Sequence, residues 1–219
     1  MGNVTVERLD RLFWLGRYVE RVYQSAKNFE KQYDMLIDGD DETYREFCRS
    51  FGIGAEYPDR DSFIADFYNP ENPHAITANI TRAYDNAMVM RDEISTAALS
   101  YIHLSMAVIK EASVSEAPMY EMQKLEDYIL AFWGSLDENV DSEETRSVVK
   151  VGKRIERLDL FIRFKRPQEE LRREMQRLMS RLAKSNLSCN RSALLHAAAM
   201  IEDEETDYDE LLKMVLRIF

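Results

Sequence analysis

The sequence predicts an all-α protein, an antiparallel bundle of long amphipathic helices with an internal repeat. Three observations carry this. Apolar residues recur in alternating steps of three and four through most of the chain, the period of one helix face. Glycine and proline are scarce, 7 and 5 in a chain of 219 residues, too few for a fold built on tight turns. No segment shows the strict alternation of a half-buried strand. Hydrophobic residues make up 45%, enough for a sizeable core, so a mainly disordered chain is excluded.

The elements follow in order. A first helix is predicted over residues 5–37, where Leu12, Leu15, Val19, Val22, Ala26, Phe29, Tyr33 and Leu36 form a sustained seam. Gly39, Asp40 and Asp41 end it. Residues 38–75 are read as an irregular connection, with short helical pieces around Glu42–Phe51 and Ser62–Tyr68. Gly52, Gly54, Pro58, Pro70 and Pro73 punctuate it.

A second long helix is predicted over 74–112, on the stripe Ile76, Ile80, Ala83, Ala87, Met90, Ile94, Ala97, Tyr101, Leu104 and Val108. Its stretch Ile94–Ile109 is the longest uncharged run. It is too short to span a membrane and is read as the buried centre of a helix. A third helix follows Pro118 and reaches about Glu138. Asp141-Ser-Glu-Glu144 resembles a capping box and opens a fourth, with the seam Val148, Val151, Ile155, Leu158 and Ile162. Pro167 opens a fifth helix to about Ser185. A last pair, 191–200 and 208–218, is split by the acidic run Glu202–Glu210. Short joints between such helices give a bundle, read as one helical domain over 1–219.

The formal charge of −11 excludes general nucleic-acid binding, which needs a basic face to neutralise phosphates. No signal-peptide core is visible, and Val6 stands where a myristoylation site takes Ser or Thr, so the chain is expected in the cytoplasm without a membrane anchor. Cys48 and Cys189 match no metal spacing and are read as reduced thiols. Among the histidines only Glu71-Asn-Pro-His74 has the spacing of a di-metal bundle, and Pro73 places it at a loop or helix start. No metal or cofactor is therefore expected. Phosphate-binding glycine loops and the nucleophile elbow are absent from the sequence. Arg166, Arg173, Arg177, Arg181 and Lys184 form a basic stripe, expected to pair with the acidic run Glu202–Glu210.

The repeat appears when Leu12–Ala26 is laid over Val148–Ile162. LFWLGRYVERVYQSA meets VVKVGKRIERLDLFI, with Gly16 on Gly152, Glu20 on Glu156, Arg21 on Arg157 and Arg17 facing Lys153. All five seam positions coincide. A glycine inside a helix costs about 1 kcal/mol relative to alanine, so its presence in both copies implies close backbone approach by a neighbouring helix. The two helices are expected to pack together about an approximate two-fold. Within each copy the Glu and the following Arg diverge by about 100° and cannot simply pair with each other.

These segments carry a resemblance. WLGRYVER near the start, G-K-R-I-E-R later, and Arg82-Ala-Tyr-Asp-Asn-Ala-Met-Val-Met-Arg-Asp-Glu-Ile-Ser95 between them resemble the bacterial alpha-E domain, in the family's order and over most of the chain. The chain departs from that pattern after Ser95, where Thr96-Ala-Ala-Leu99 replaces an aromatic and acidic patch. The resemblance implies an all-helical companion of an ATP-grasp-type ligase and a transglutaminase-like peptidase, in the synthesis or modification of peptide bonds. A homo-oligomer is compatible with it.

Arg17, Glu20, Arg21, Arg91, Lys153, Glu156 and Arg157 are the candidate binding residues. Each Glu of the repeat directly follows a seam position, so it flanks the core. Two readings stay open. The arginines could hold a carboxylate or phosphate in their planar forks, with the glutamates orienting them or acting as bases. Alternatively the set is a salt-bridge network that fixes helix register. The first makes the chain an enzyme or binding subunit, the second a non-catalytic accessory component.

Overall fold

A computed structural model describes residues 6–37, 45, 48, 49, 51, 57–115, 118–203 and 206–219. Among the described residues the elements are all helical: α1 (Val6–Ile37), α2 (Arg60–Phe67), α3 (Ile76–Val89), α4 (Arg91–Ile94), α5 (Thr96–Ala112), α6 (Pro118–Asn139), α7 (Glu143–Arg163), α8 (Gln168–Leu182), α9 (Arg191–Glu202) and α10 (Tyr208–Val215). The helical piece expected over Glu42–Phe51 lies largely outside the described residues. The chain forms two compact units: the start of the chain through Arg17 together with Ser142–Phe219, and Tyr18–Asp141. The long helix α1 supplies residues to each.

In the unit Tyr18–Asp141, α1 presents its seam residues Val19, Val22, Ala26 and Phe29, all fully or nearly fully buried. Phe29 stacks on Phe67 of α2 with ring centroids 4.9 Å apart, and Tyr68 meets Phe67 edge-on. Asp59 caps α2, its carboxylate accepting from the Ser62 amide at 2.7 Å. Asp66 ties the approach to α2 to the loop after it. It accepts from the Tyr57 hydroxyl at 2.5 Å and from the Asn72 amide at 2.7 Å. Burial, with this bond to Asp66, pushes the Tyr57 hydroxyl well above its ordinary value. Burial, with the Asp66 charge, pushes the nearby Cys48 thiol up to about 11, so it stays a thiol at neutral pH. Both cysteines are free.

The helix expected over 74–112 is instead three helices. The chain ends α3 at Val89, makes the single turn α4, and reverses at Ser95, whose φ is 75° and ψ 149°. α5 then packs back against α3 and forward against α6. Ser95 serves as N-cap of α5, its hydroxyl accepting from the Ala98 amide at 3.3 Å. The seam shifts by one residue at this turn: Ala98, Ile102 and Ser105 are buried where Ala97, Tyr101 and Leu104 were expected. The uncharged run is correspondingly not the buried centre of a helix, since Leu104 is 43% exposed and Ala97, Ser100 and His103 face solvent. An apolar period reports which positions seek cover; a reversal that keeps both halves covered leaves that period nearly intact.

In the other unit, α7 is the central helix, packing against α8 and α10, with α9 against both α8 and α10. Val148, Val151, Leu158 and Ile162 are buried as expected. The helix is capped by Ser142 rather than by Asp141: the Ser142 hydroxyl accepts from the Thr145 amide at 3.1 Å. Pro167, Asn190 and Asp207 stand at the N-caps of α8, α9 and α10.

The reversal at Ser95 is testable. A serine in the left-handed half of the map is strained, by about 1–3 kcal/mol, while its hydroxyl cap contributes about 1 kcal/mol. Ser95→Ala loses the cap and keeps the strain; Ser95→Gly loses the cap and relieves the strain. Urea unfolding is expected to rank glycine above alanine by about 1 kcal/mol.

Candidate functional site

The site grows from the crossing of α1 and α7. A Cβ built on Gly16 would lie 1.9 Å from the carbonyl oxygen of Val149, and one built on Gly152 would lie 2.0 Å from the carbonyl oxygen of Phe13. The same virtual atoms would meet the backbone nitrogens of Lys153 and Arg17, each at 3.0 Å. The contacts are reciprocal. Each glycine faces the carbonyl three residues before its counterpart and the amide one residue after it. Only a residue without Cβ lets two helix backbones approach so far, which is the reason expected for glycine at both positions.

This approach delivers charged side chains to the interface in fixed register. Arg17, the residue after Gly16, places Nε and Nη2 each 2.7 Å from one carboxylate oxygen of Glu156, which is 1% exposed. The guanidinium lies over the Trp14 ring, 4.8 Å from its centroid. Its Nη2 is also 3.7 Å from Asp159, whose other oxygen accepts from Arg163 Nε at 2.7 Å. Glu156, Arg17, Asp159 and Arg163 therefore form a row of alternating sign.

A second row lies between α7 and α8. Glu174 of α8 is 3% exposed and accepts from Arg154 at 2.8 Å and Arg177 at 2.6 Å, with Arg157 at 4.0 Å. Burial alone would raise its carboxyl. The charges of Arg154 and Arg157, with the hydrogen bonds from Arg154 and Arg177, overcome that and hold it below its ordinary value. Arg154 moves downward, because burial disfavours its charge more than Glu174 restores it. Its Nε is buried with no hydrogen-bond partner among the described residues.

Glu156 and Arg157 thus point to different neighbours. A step of about 100° along the helix aims the acid at α1 and the base at α8, so consecutive residues tie α7 to two helices at once. The Alpha-E family, described as a predicted alpha-helical domain with a conserved ER motif, matches residues 8–203. The chain belongs to the Alpha-E family. No curated protein and no solved structure matches it.

In this Alpha-E chain the remaining candidates fall as follows. Lys153, next to Gly152, is half-buried. Glu20 belongs to the unit Tyr18–Asp141 and is fully buried, accepting from the Gln24 amide at 2.7 Å; Asn28 in turn donates to the Gln24 carbonyl at 2.7 Å. Arg21 is half-buried. Arg91 lies apart from both rows: its side chain is 63% exposed and 3.8 Å from Asp92. The reason is the reversal after α3, which puts the residue after Met90 on the outside of a turn rather than beside a continuing seam.

Four residues of these rows went unread in the sequence: Asp159, Arg163, Arg154 and Glu174. Asp159 and Arg163 are four apart on α7, a spacing that could have been noticed. Glu174 and Arg177 are three apart on α8, a like spacing, but the partners Arg154 and Arg157 lie on another helix and gave no such signal. The basic stripe also differs from expectation. Arg173 pairs with Glu169, Arg177 with Glu174 and Lys184 with Glu143, while it is Arg172 that reaches Glu202 of the acidic run.

Two outcomes follow. Gly16→Ala or Gly152→Ala drives a methyl into a backbone carbonyl, and either is expected to lower stability by at least the roughly 1–3 kcal/mol of an overpacked core, although alanine is the better helix former. Thermal melts compared with the open Gly134→Ala control, where a Cβ meets nothing within 4 Å, check this. Glu174, with its lowered carboxyl, contributes stability that is present above its ordinary value of 4.5 and lost as pH falls through the depressed one. Glu174→Gln is expected to remove that acid limb from the stability profile and to cost about 3 kcal/mol at neutral pH, since partly buried arginines lose their partner.

Proposed function

We propose that this Alpha-E chain is a non-catalytic helical component of a peptide-bond-forming or peptide-modifying system in the cytoplasm, working with an ATP-grasp-type ligase and a transglutaminase-like protein. The resemblance supplies the setting. The observation that carries the accessory role is the engagement of the second ER segment. Glu156 is 1% exposed and held by two nitrogens of Arg17, and Arg157 sits beside Glu174. A carboxylate so covered does not reach a substrate proton, and it serves helix register. The three cavities described for the chain are lined by other residues: one beside Cys189 and Arg191, one beside Asp66 and Asn69, and one beside Val6 and Phe13.

Co-expression with an ATP-grasp-type ligase and a transglutaminase-like protein of the same organism tests this. A stable complex at fixed stoichiometry is expected on gel filtration. Arg157→Lys keeps the charge and loses the planar fork, so it is expected to leave complex formation intact while the fold survives. The reading falls if no complex forms. It falls equally if Arg157→Lys abolishes ligase activity without loss of thermal stability, which would make the chain a binding subunit instead.

A further inference from the structure

From Leu171 to Lys184, along α8 and the turn that ends it, the sequence LRREMQRLMSRLAK holds five cations and one acid, Glu174. Glu174 is 3% exposed, so the outer surface of this stretch shows cations and no carboxylate. Arg173, Arg177 and Arg181 follow one another at steps of four, about 6 Å apart along the axis, and Lys184 continues the line. The side chains of Arg173, Arg177 and Lys184 are 54%, 48% and 50% exposed. The unit they belong to holds more Lys and Arg than Asp and Glu, so the chain's charge of −11 resides in Tyr18–Asp141.

The chain's own carboxylates leave this line with surplus positive charge. Glu202 of the acidic run pairs with Arg172, beside the line rather than on it. Glu174 is shared by Arg154, Arg157 and Arg177. Glu143 pairs with Lys184 at 2.7 Å and is held below its ordinary value by Lys184 first, then by Arg146 and Arg181. Each of these two carboxylates thus answers three cations. Arg181 makes no ion pair among the described residues. Arg173 has a partner of its own, Glu169, but that acid is 80% exposed, and surface pairs of this kind contribute little. Met179, 39% exposed, stands on the outer surface with the exposed Gln176 and Ser180, so the line borders an uncharged strip.

We infer that this line on α8 is a docking surface for an acidic amphipathic helix of a partner protein. A helix laid along α8 with carboxylates at steps of four meets Arg173, Arg177 and Arg181 at their own spacing, and its adjoining apolar residues cover Met179. The guanidinium forks take such carboxylates in paired hydrogen bonds. A nucleic-acid strand fits less well. Its phosphates continue past the roughly 12 Å from Arg173 to Arg181 toward a chain of negative net charge, and it brings no side chain to Met179. The unit formed by the start of the chain with Ser142–Phe219 supplies every residue of this surface, and the inference is independent of which enzymes the protein accompanies.

The probe is a synthetic alanine-based helical peptide with glutamates at three successive steps of four and leucines at the adjoining positions. Fluorescence polarisation with the full chain is expected to show saturable binding with a Kd on the order of 100 μM at low salt, weakening about tenfold as ionic strength rises to about 0.3 M. Arg173→Glu combined with Arg181→Glu is expected to abolish binding, and a peptide with lysines for the glutamates is expected to bind this double variant instead. Arg181→Gln alone, a milder change, is expected to weaken the peptide about threefold. Arg217→Glu alters an exposed charge elsewhere in the same unit and is expected to leave binding unchanged. Thermal melts check the fold of each variant. The inference is overturned by absence of saturable binding, by equal binding of a peptide of the same composition with scattered glutamates, or by an equal loss in Arg217→Glu. It is overturned too if single-stranded RNA binds this face more tightly than the peptide, or if gel filtration shows a dimer that the double variant dissociates.

Discussion

The reciprocal contact of two glycines with two carbonyls is what the unit built around α7 depends on. It fixes the separation of α1 and α7 at backbone contact, and it fixes register, because only one residue on each helix lacks a Cβ there. A shift of either helix by one residue would put Leu15 or Arg17, or Val151 or Lys153, where its glycine stands. Hydrophobic seams alone tolerate such slides, since apolar side chains repack against one another at modest cost. A steric key does not.

Given that register, the polar contacts follow. Arg17 comes to Glu156 because each is a fixed number of residues from its glycine. The Trp14 ring covers the guanidinium from the other side, which removes water and strengthens the pair. The two charged rows on α7 share no residue, yet they are set by the same helical geometry: Glu156 belongs to one and Arg157 contacts the other. Glu156 and Arg157 thus contact α1 and α8 respectively, on either side of α7. Such pairs add little net stability over well-packed apolar residues, but misplacing one strands a buried charge. Their contribution here is to exclude alternative packings, in the way that the glycines do.

The helical class, most helix positions and the glycine crossing were legible in the sequence, because each rests on local periodicity or on a residue whose cost demands a reason. Gly16 and Gly152 were readable for that second reason. The reversal at Ser95 was not, because α3 and α5 carry apolar stripes that join almost in phase, and no glycine or proline marks the turn. Glu156 was read as flanking the core from its position beside a seam, and Arg17 as a candidate binding residue from its place in the repeat. The role of Glu174 across the helix interface was invisible, since its pairing with Arg154 and Arg157 depends on which helix lies opposite.

The unit around α7 is assembled from the two ends of the chain, and the pair Arg17–Glu156 closes over 139 residues. Its completion therefore waits on synthesis. At roughly 5–20 residues per second, the first seventeen residues wait on the order of ten seconds for their partners. Tyr18–Asp141 is continuous and is complete before α7 exists. During that interval Leu12, Leu15 and Phe13 have no α7 to cover them, and the start of α1 is the part of this protein most in need of shelter as it leaves the ribosome.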